Sequence, residues 1–115
     1  MALLRIEDLP EGALDAAARF HEVWLPRIRA LIPLASGEDL LVAFPSEDHT
    51  HRAWRLAAVQ QLARELAPIR INAVASDQAA PVACAQEYLA SAPGVTGQYL
   101  PLDGNAAGQV LYRSV

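Results

Sequence analysis

The chain has 115 residues, 53% of them hydrophobic and 19% charged, with thirteen acidic and nine basic side chains and a net charge of −4. That length predicts one domain able to bury about two-thirds of its unfolded surface, and the composition excludes a disordered chain. The acidic balance argues against a nucleic-acid partner, and charges or prolines interrupt every apolar stretch before it reaches membrane-spanning length.

The N-terminal stretch MALLRIEDLPEG has neither a basic region nor a long apolar one, so it predicts no export signal. The single cysteine, Cys84, excludes an internal disulfide and fits the reducing cytoplasm. A lone free cysteine is most often a small core side chain, and Cys84 is expected to be buried. All nine basic residues are arginines. Abundant alanine without lysine suggests a GC-rich bacterial gene.

In chain order, residues 2–6 read as a short first strand, closed by the breaker Pro10-Glu11-Gly12. From residue 13 to 32, Ala13, Ala17, Phe20, Trp24, Ile28 and Leu31 recur at three-four spacing, which predicts an amphipathic helix. Pro26 lies inside it and predicts a kink or restart, because an interior proline costs about 3 kcal/mol and one hydrogen bond. Pro33 is expected to end it. Residues 39–45, DLLVAFP, are a continuous apolar run that suits a strand buried on both faces. A second helix is predicted from about residue 50 to 67, with Ala58, Val59, Leu62 and Leu66 on its inner face and Pro68 as its stop. Residues 69–75 read as a strand and 81–91 as a third helix with Pro81 in its first turn. Residues 97–102 read as a last strand, which Pro101 confines to a sheet edge. The tail 110–115 could add one more. Gly94, Gly97, Gly104 and Gly108 flank turns and form no phosphate loop.

The densest polar cluster is Ser46-Glu47-Asp48-His49-Thr50-His51. His49 and His51 beside two carboxylates could ligate a divalent metal. The plainer reading is a solvated loop whose Asp48 or Thr50 caps the following helix. A hydrolytic triad of Ser46, Asp48 and a neighbouring histidine lacks the Gly-x-Ser-x-Gly elbow, and residues this close in sequence rarely align as a triad. His21 reads as a packed or rim histidine. Trp24 and Trp54 read as core or interface aromatics.

Residues 65–76, ELAPIRINAVAS, and 95–104, VTGQYLPLDG, resemble the closing segments of the short-chain dehydrogenase/reductase family. RIRALIP at 27–33 and GEDLLVAFPS at 37–46 are similar to the end of that family's long central helix and to its serine-bearing strand. The resemblance implies a Rossmann-like fold, a nicotinamide dinucleotide held by a Gly-rich turn, and hydride chemistry run by a Tyr-x-x-x-Lys pair. The departures remove that chemistry. Counting back from Glu65 without gaps places Arg52 at the lysine position and Asp48 at the tyrosine position. Arginine and aspartate cannot take those roles near neutral pH. Phe20 falls near the family's helix asparagine, and Ser76-Asp77 replaces its Pro-Gly. No Gly-rich turn precedes the first helix. Ser46, at the serine position, is the one vestigial match.

The expectation is therefore an α/β protein: residues 1–115 as a single half-domain, a partial Rossmann-like parallel sheet of three to five strands with about three helices. No catalytic residue, cofactor or bound metal is expected. Strands in sequential order joined by right-handed crossovers would gather the helices on one face and leave the other bare. That predicts a non-catalytic oligomerisation or protein-interaction module, a homodimer or homotetramer or a partner of a full-length dehydrogenase. In the family resembled, the first two helices seen here pack against a neighbour. Trp24, Ile28, Val59, Leu62 and Tyr99 are the interface candidates. The alternatives are a small-molecule or nucleotide binder with a vestigial cleft near Ser46 and Ser76, and an enzyme of different chemistry on the SEDHTH cluster.

Overall fold

The computed structural model describes residues 1–34 and 37–102. The expected tail strand at 110–115, Gly104 and Gly108 lie outside the described residues. Four strands, β1 (Ala2–Arg5), β2 (Leu40–Phe44), β3 (Ile71–Ala75) and β4 (Tyr99–Pro101), form one parallel sheet in sequential order. This is the α/β Rossmann-like arrangement the alternation of elements predicts. Every residue of β2 and β3 is buried, as continuous apolar runs require when both faces are covered. β4 pairs only with β3, so Pro101 sits at an edge where its missing N–H is harmless.

Helix α1 (Ala13–Arg19) starts after Gly12 and runs without a break through a π-helical turn, Phe20–Trp24, into α2 (Leu25–Leu34). The widened turn is the answer to Pro26. The Leu25 N–H bonds five residues back, to the Phe20 carbonyl, which loosens the backbone just where the proline ring would press on the preceding turn. The helix also runs one residue past Pro33, which the sequence placed as its end. A 3-10 turn at His49–His51 leads into α3 (Arg52–Glu65), and α4 is Ala79–Ala90.

α1, α2 and α3 cover one face of the sheet, where Phe20, Ile28, Val59 and Leu62 pack on Leu40, Val42, Phe44, Ile71 and Ala73. α4 covers the other, with Val82, Ala85 and Leu89 against Leu41, Ala43 and Val74. The expectation that all helices gather on one face is thus corrected. The strands advance in one direction while the third connection lies on the opposite face. Its crossover therefore has the opposite hand to the first two, against the usual rule. Leu41 and Val74 are fully buried under it, so no bare sheet face remains there. Cys84 is corrected too: the inner stripe of α4 is Pro81, Val82, Ala85 and Leu89, and Cys84 points outward, exposed.

Buried polar groups on β3 are satisfied. The Asn72 amide donates to the Val95 carbonyl at 2.9 Å and its Oδ1 accepts from the Gln98 N–H at 3.1 Å. Both partners flank Gly97, whose φ of +74° an L side chain rarely adopts and which lets the chain turn into β4. Leu62 is 3% exposed and His49 is exposed. Leu62→Ala is expected to cost about 2–5 kcal/mol in chemical denaturation and His49→Ala less than about 0.5 kcal/mol. The reverse order would show that the inner face of α3 is assigned wrongly.

Candidate functional site

Open α/β sheets bind ligands outside the carboxyl ends of their strands. Here β1, β2 and β3 run out beside a crevice of about 180 Å³, walled by Arg5, Glu7, Phe44, Pro45, Ser76 and Asp77 among others. Its two loops are tied together: the Ser46 N–H donates to Asp77 Oδ1 at 3.0 Å. Ser76 is buried, and its hydroxyl accepts from the Gln78 N–H at 3.0 Å. Ser46 itself is exposed. The crevice is small, and its two carboxylates would oppose a pyrophosphate.

The SEDHTH cluster is pulled apart by the 3-10 turn that its last three residues form. Asp48 caps that turn, accepting from the Thr50 N–H at 2.9 Å and from the Thr50 hydroxyl. These bonds, the hydroxyl's first, hold the Asp48 carboxyl below the usual aspartate range. At neutral pH it is a carboxylate with no proton to give. Arg52, at the family's lysine position, is exposed, and Phe20, near the asparagine position, is wholly in the core. His49 faces solvent, whereas His51 is turned inward and 1% exposed. Trp54 Nε1, which can only donate, bonds to His51 Nδ1 at 3.2 Å. That forces the tautomer in which His51 Nε2–H donates to the Glu11 carbonyl at 2.8 Å. Neither nitrogen keeps a lone pair for a metal. Among the described residues no group of three His, Cys, Asp or Glu side chains could hold one.

The group that sequence reasoning missed is Arg55. It is fully buried in the first turns of α3, on the same face as Ala58, Val59 and Leu62. Its Nη1 donates to the Pro45 carbonyl at 2.8 Å and to the Tyr99 hydroxyl at 3.1 Å. Its Cζ lies 4.6 Å from the Phe44 ring centre, 5.7 Å from that of Trp54 and 6.0 Å from that of Tyr99. Nε and Nη2 have no hydrogen-bond partner among the described residues. The signal was available: position 55 is one turn before Ala58 and Val59 on the inner stripe, where an arginine is out of place.

A larger hollow lies elsewhere. A groove of about 390 Å³ runs between the π-helical turn with α2 and the outer flank of α3. Phe20, Leu25, Trp54, Ala58 and Leu62 give it mostly apolar walls, and Arg29 and Glu65 stand at its rim. These two form an exposed bidentate pair, Nε to Oε2 at 2.7 Å and Nη2 to Oε1 at 2.6 Å. It lowers the Glu65 pKa and raises that of Arg29. Of the interface candidates, Ile28, Val59 and Leu62 lie in the chain's own core at 0–3% exposure, and Leu62 also contributes to the groove wall. Trp24 is half-buried with the Arg27 guanidinium 4.9 Å from its ring centre, and Tyr99 is half-buried on Arg55. His21 is at the rim of the groove, its Nδ1 2.7 Å from the Ala17 carbonyl.

A parallel sheet in sequential order with helices on both faces defines a Rossmann-like α/β protein. The model of one family, described as short chain dehydrogenase-like protein, matches residues 4–102, and the chain belongs to that family. No curated protein and no solved structure matches it. No helix among the described residues is long and apolar enough to cross a membrane.

Because its folded pKa is depressed, Asp48 contributes stability above the usual aspartate range, and that contribution fades as pH falls through the folded value. Side-chain carboxyl NMR should place Asp48 below an ordinary aspartate. Thr50→Val, which removes the hydroxyl, should move it back up. An unmoved titration would show that the hydroxyl bond does not form.

Proposed function

We propose that the protein is a non-catalytic member of its family that works as a homodimeric interaction module, using the groove between α2 and α3 as its contact surface. The observation that carries this reading is the contrast between two places. Where the family's hydride chemistry would lie, Asp48 is spent on a helix cap and Arg52 faces solvent. A groove with mostly apolar walls lies instead on the outer flank of the helices.

The occupant that fits is a second copy of the same surface. Residues 54, 57, 58, 61, 62 and 65 of α3 line the groove at three-four spacing, the stripe a packed helix presents. Ala57, exposed in the middle, lets a neighbouring backbone come close. Arg29 and Glu65 at the rim are self-complementary: a two-fold axis can exchange their partners between protomers without leaving a charge unpaired. The covered sheet removes one argument for assembly, so the case rests on the groove. A groove of this volume also suits a small apolar ligand, and a monomer in solution would favour that reading.

Light scattering should give twice the 12.4 kDa of one chain. Ala57→Arg, which adds a large charge at an exposed position, should yield a folded monomer whose unfolding midpoint is lower than the dimer's and independent of protein concentration. A wild-type monomer at micromolar concentration would overturn the proposal. In calorimetry, NAD and NADP should bind more weakly than about 100 μM, near −5.5 kcal/mol. Tighter binding would restore a cofactor role.

A further inference from the structure

We propose that Arg55 is a binding site for a small monocarboxylate, of the size of formate or acetate, held on the Nε/Nη2 edge of its guanidinium. Every charged group taken from water needs a compensating partner. Arg55 is fully buried, and the other buried polar residues among those described are His51, Asn72 and Ser76, none of them a carboxylate. Three aromatic rings and two neutral oxygens face the guanidinium, but they engage it through its faces and through Nη1. The edge left over carries two parallel N–H groups with no partner among the described residues.

The protein itself shows what that edge takes. Arg29 uses the same two atoms, Nε and Nη2, to hold both oxygens of the Glu65 carboxylate. Fork geometry favours a planar oxyanion over a spherical ion. One guanidinium in an aromatic enclosure is neutralised by a single negative charge, whereas a phosphate dianion would leave an uncompensated charge in the same dry place. The way in is past Trp54. Its side chain is partly buried, lines the groove on one side and stands beside Arg55 on the other. A hydrogen bond of 3.2 Å to His51 and packing against Phe20 and Phe44, each with ring centres 5.6 Å away, hold its indole. The site lies behind Trp54 and touches no dimer partner, so the Ala57→Arg monomer should bind with the same affinity and, with its groove open, exchange acetate faster.

The test is thermal unfolding in sodium acetate against sodium chloride at equal ionic strength, with line broadening of ¹³C-acetate as the direct readout. At ten times its dissociation constant, acetate should lower the apparent unfolding constant about elevenfold. Arg55→Met keeps the length of the side chain and removes the charge. It should fold, bind no acetate and show no acetate-dependent stabilisation. Arg55→Lys, which keeps the charge and loses the fork, should broaden acetate less than the wild type. Acetate and chloride acting alike on the wild type, or an acetate effect that persists in Arg55→Met, would overturn the proposal. If Arg55→Met does not fold, undiminished acetate broadening by Arg55→Lys would overturn it.

Discussion

The constraint on which the structure turns is that β2 and β3 are buried on both faces. Ten consecutive-face positions, residues 40–44 and 71–75, are all out of water. A parallel pair of this kind cannot be stable with one side open, since alternate side chains of each strand point each way. Two helical layers are therefore needed, and the first two connections already lie on one face. Only the third connection remains to cover the other. α4 does so at the expense of an unusual crossover hand, with Val82, Ala85 and Leu89 sealing Leu41 and Val74. Burial of two strands outweighs the preference for one crossover hand.

The same packing shapes the carboxyl end of the sheet. α3 must approach β2 and β3 closely along Ala58, Val59 and Leu62, which brings the next residue on that stripe, Arg55, inside as well. The Phe44, Trp54 and Tyr99 rings close around it, and Nη1 ties the end of β2 to β4 through Pro45 and Tyr99. The aromatic faces offset part of the desolvation, each on the order of 1–2 kcal/mol when water is excluded. They cannot replace an anion on the free edge. Burial of a group that resists burial is thus a consequence of helix register, and the chemistry of the site follows from it.

Most of the architecture was legible in the sequence because hydrophobic periodicity reports burial directly. The run at 39–45 announced a strand covered on both faces, and Pro101 announced an edge. Cys84 was misplaced because residue type was weighed above its register on α4, where positions 81, 82, 85 and 89 define the inner stripe. The face of α4 was misread because crossover hand is a statistical preference, while the cover required by Leu41 and Val74 is specific to this sheet. The π-helical turn was visible only as a proline to be accommodated. Of the site, the cap at Asp48 was legible from residue type and spacing. His51 was not, because a polar letter suggests solvent, and Arg55 was passed over for the same reason although position 55 falls one turn before Ala58 and Val59 on the inner stripe.

The fate of the family's catalytic positions follows from the same geometry. The loop after β2 is tied by Ser46 to Asp77 and turns at once into a capped 3-10 segment. Asp48 is drawn to the orphan N–H groups at that helix start, so its carboxylate is committed to backbone. His51 is drawn between the Glu11 carbonyl and the Trp54 indole, which commits both its nitrogens. Arg52, one residue further round the helix, is left outside. A polar cluster that looks catalytic as a string of letters is thus consumed by the start of α3. The one strongly charged group with unspent hydrogen-bonding capacity among the described buried residues is Arg55, three residues beyond the position where the family keeps its lysine. Arg52 keeps a charge at the family's lysine position but faces solvent, and Arg55, less than a turn further on, carries a second one into the interior, where its free edge is unspent.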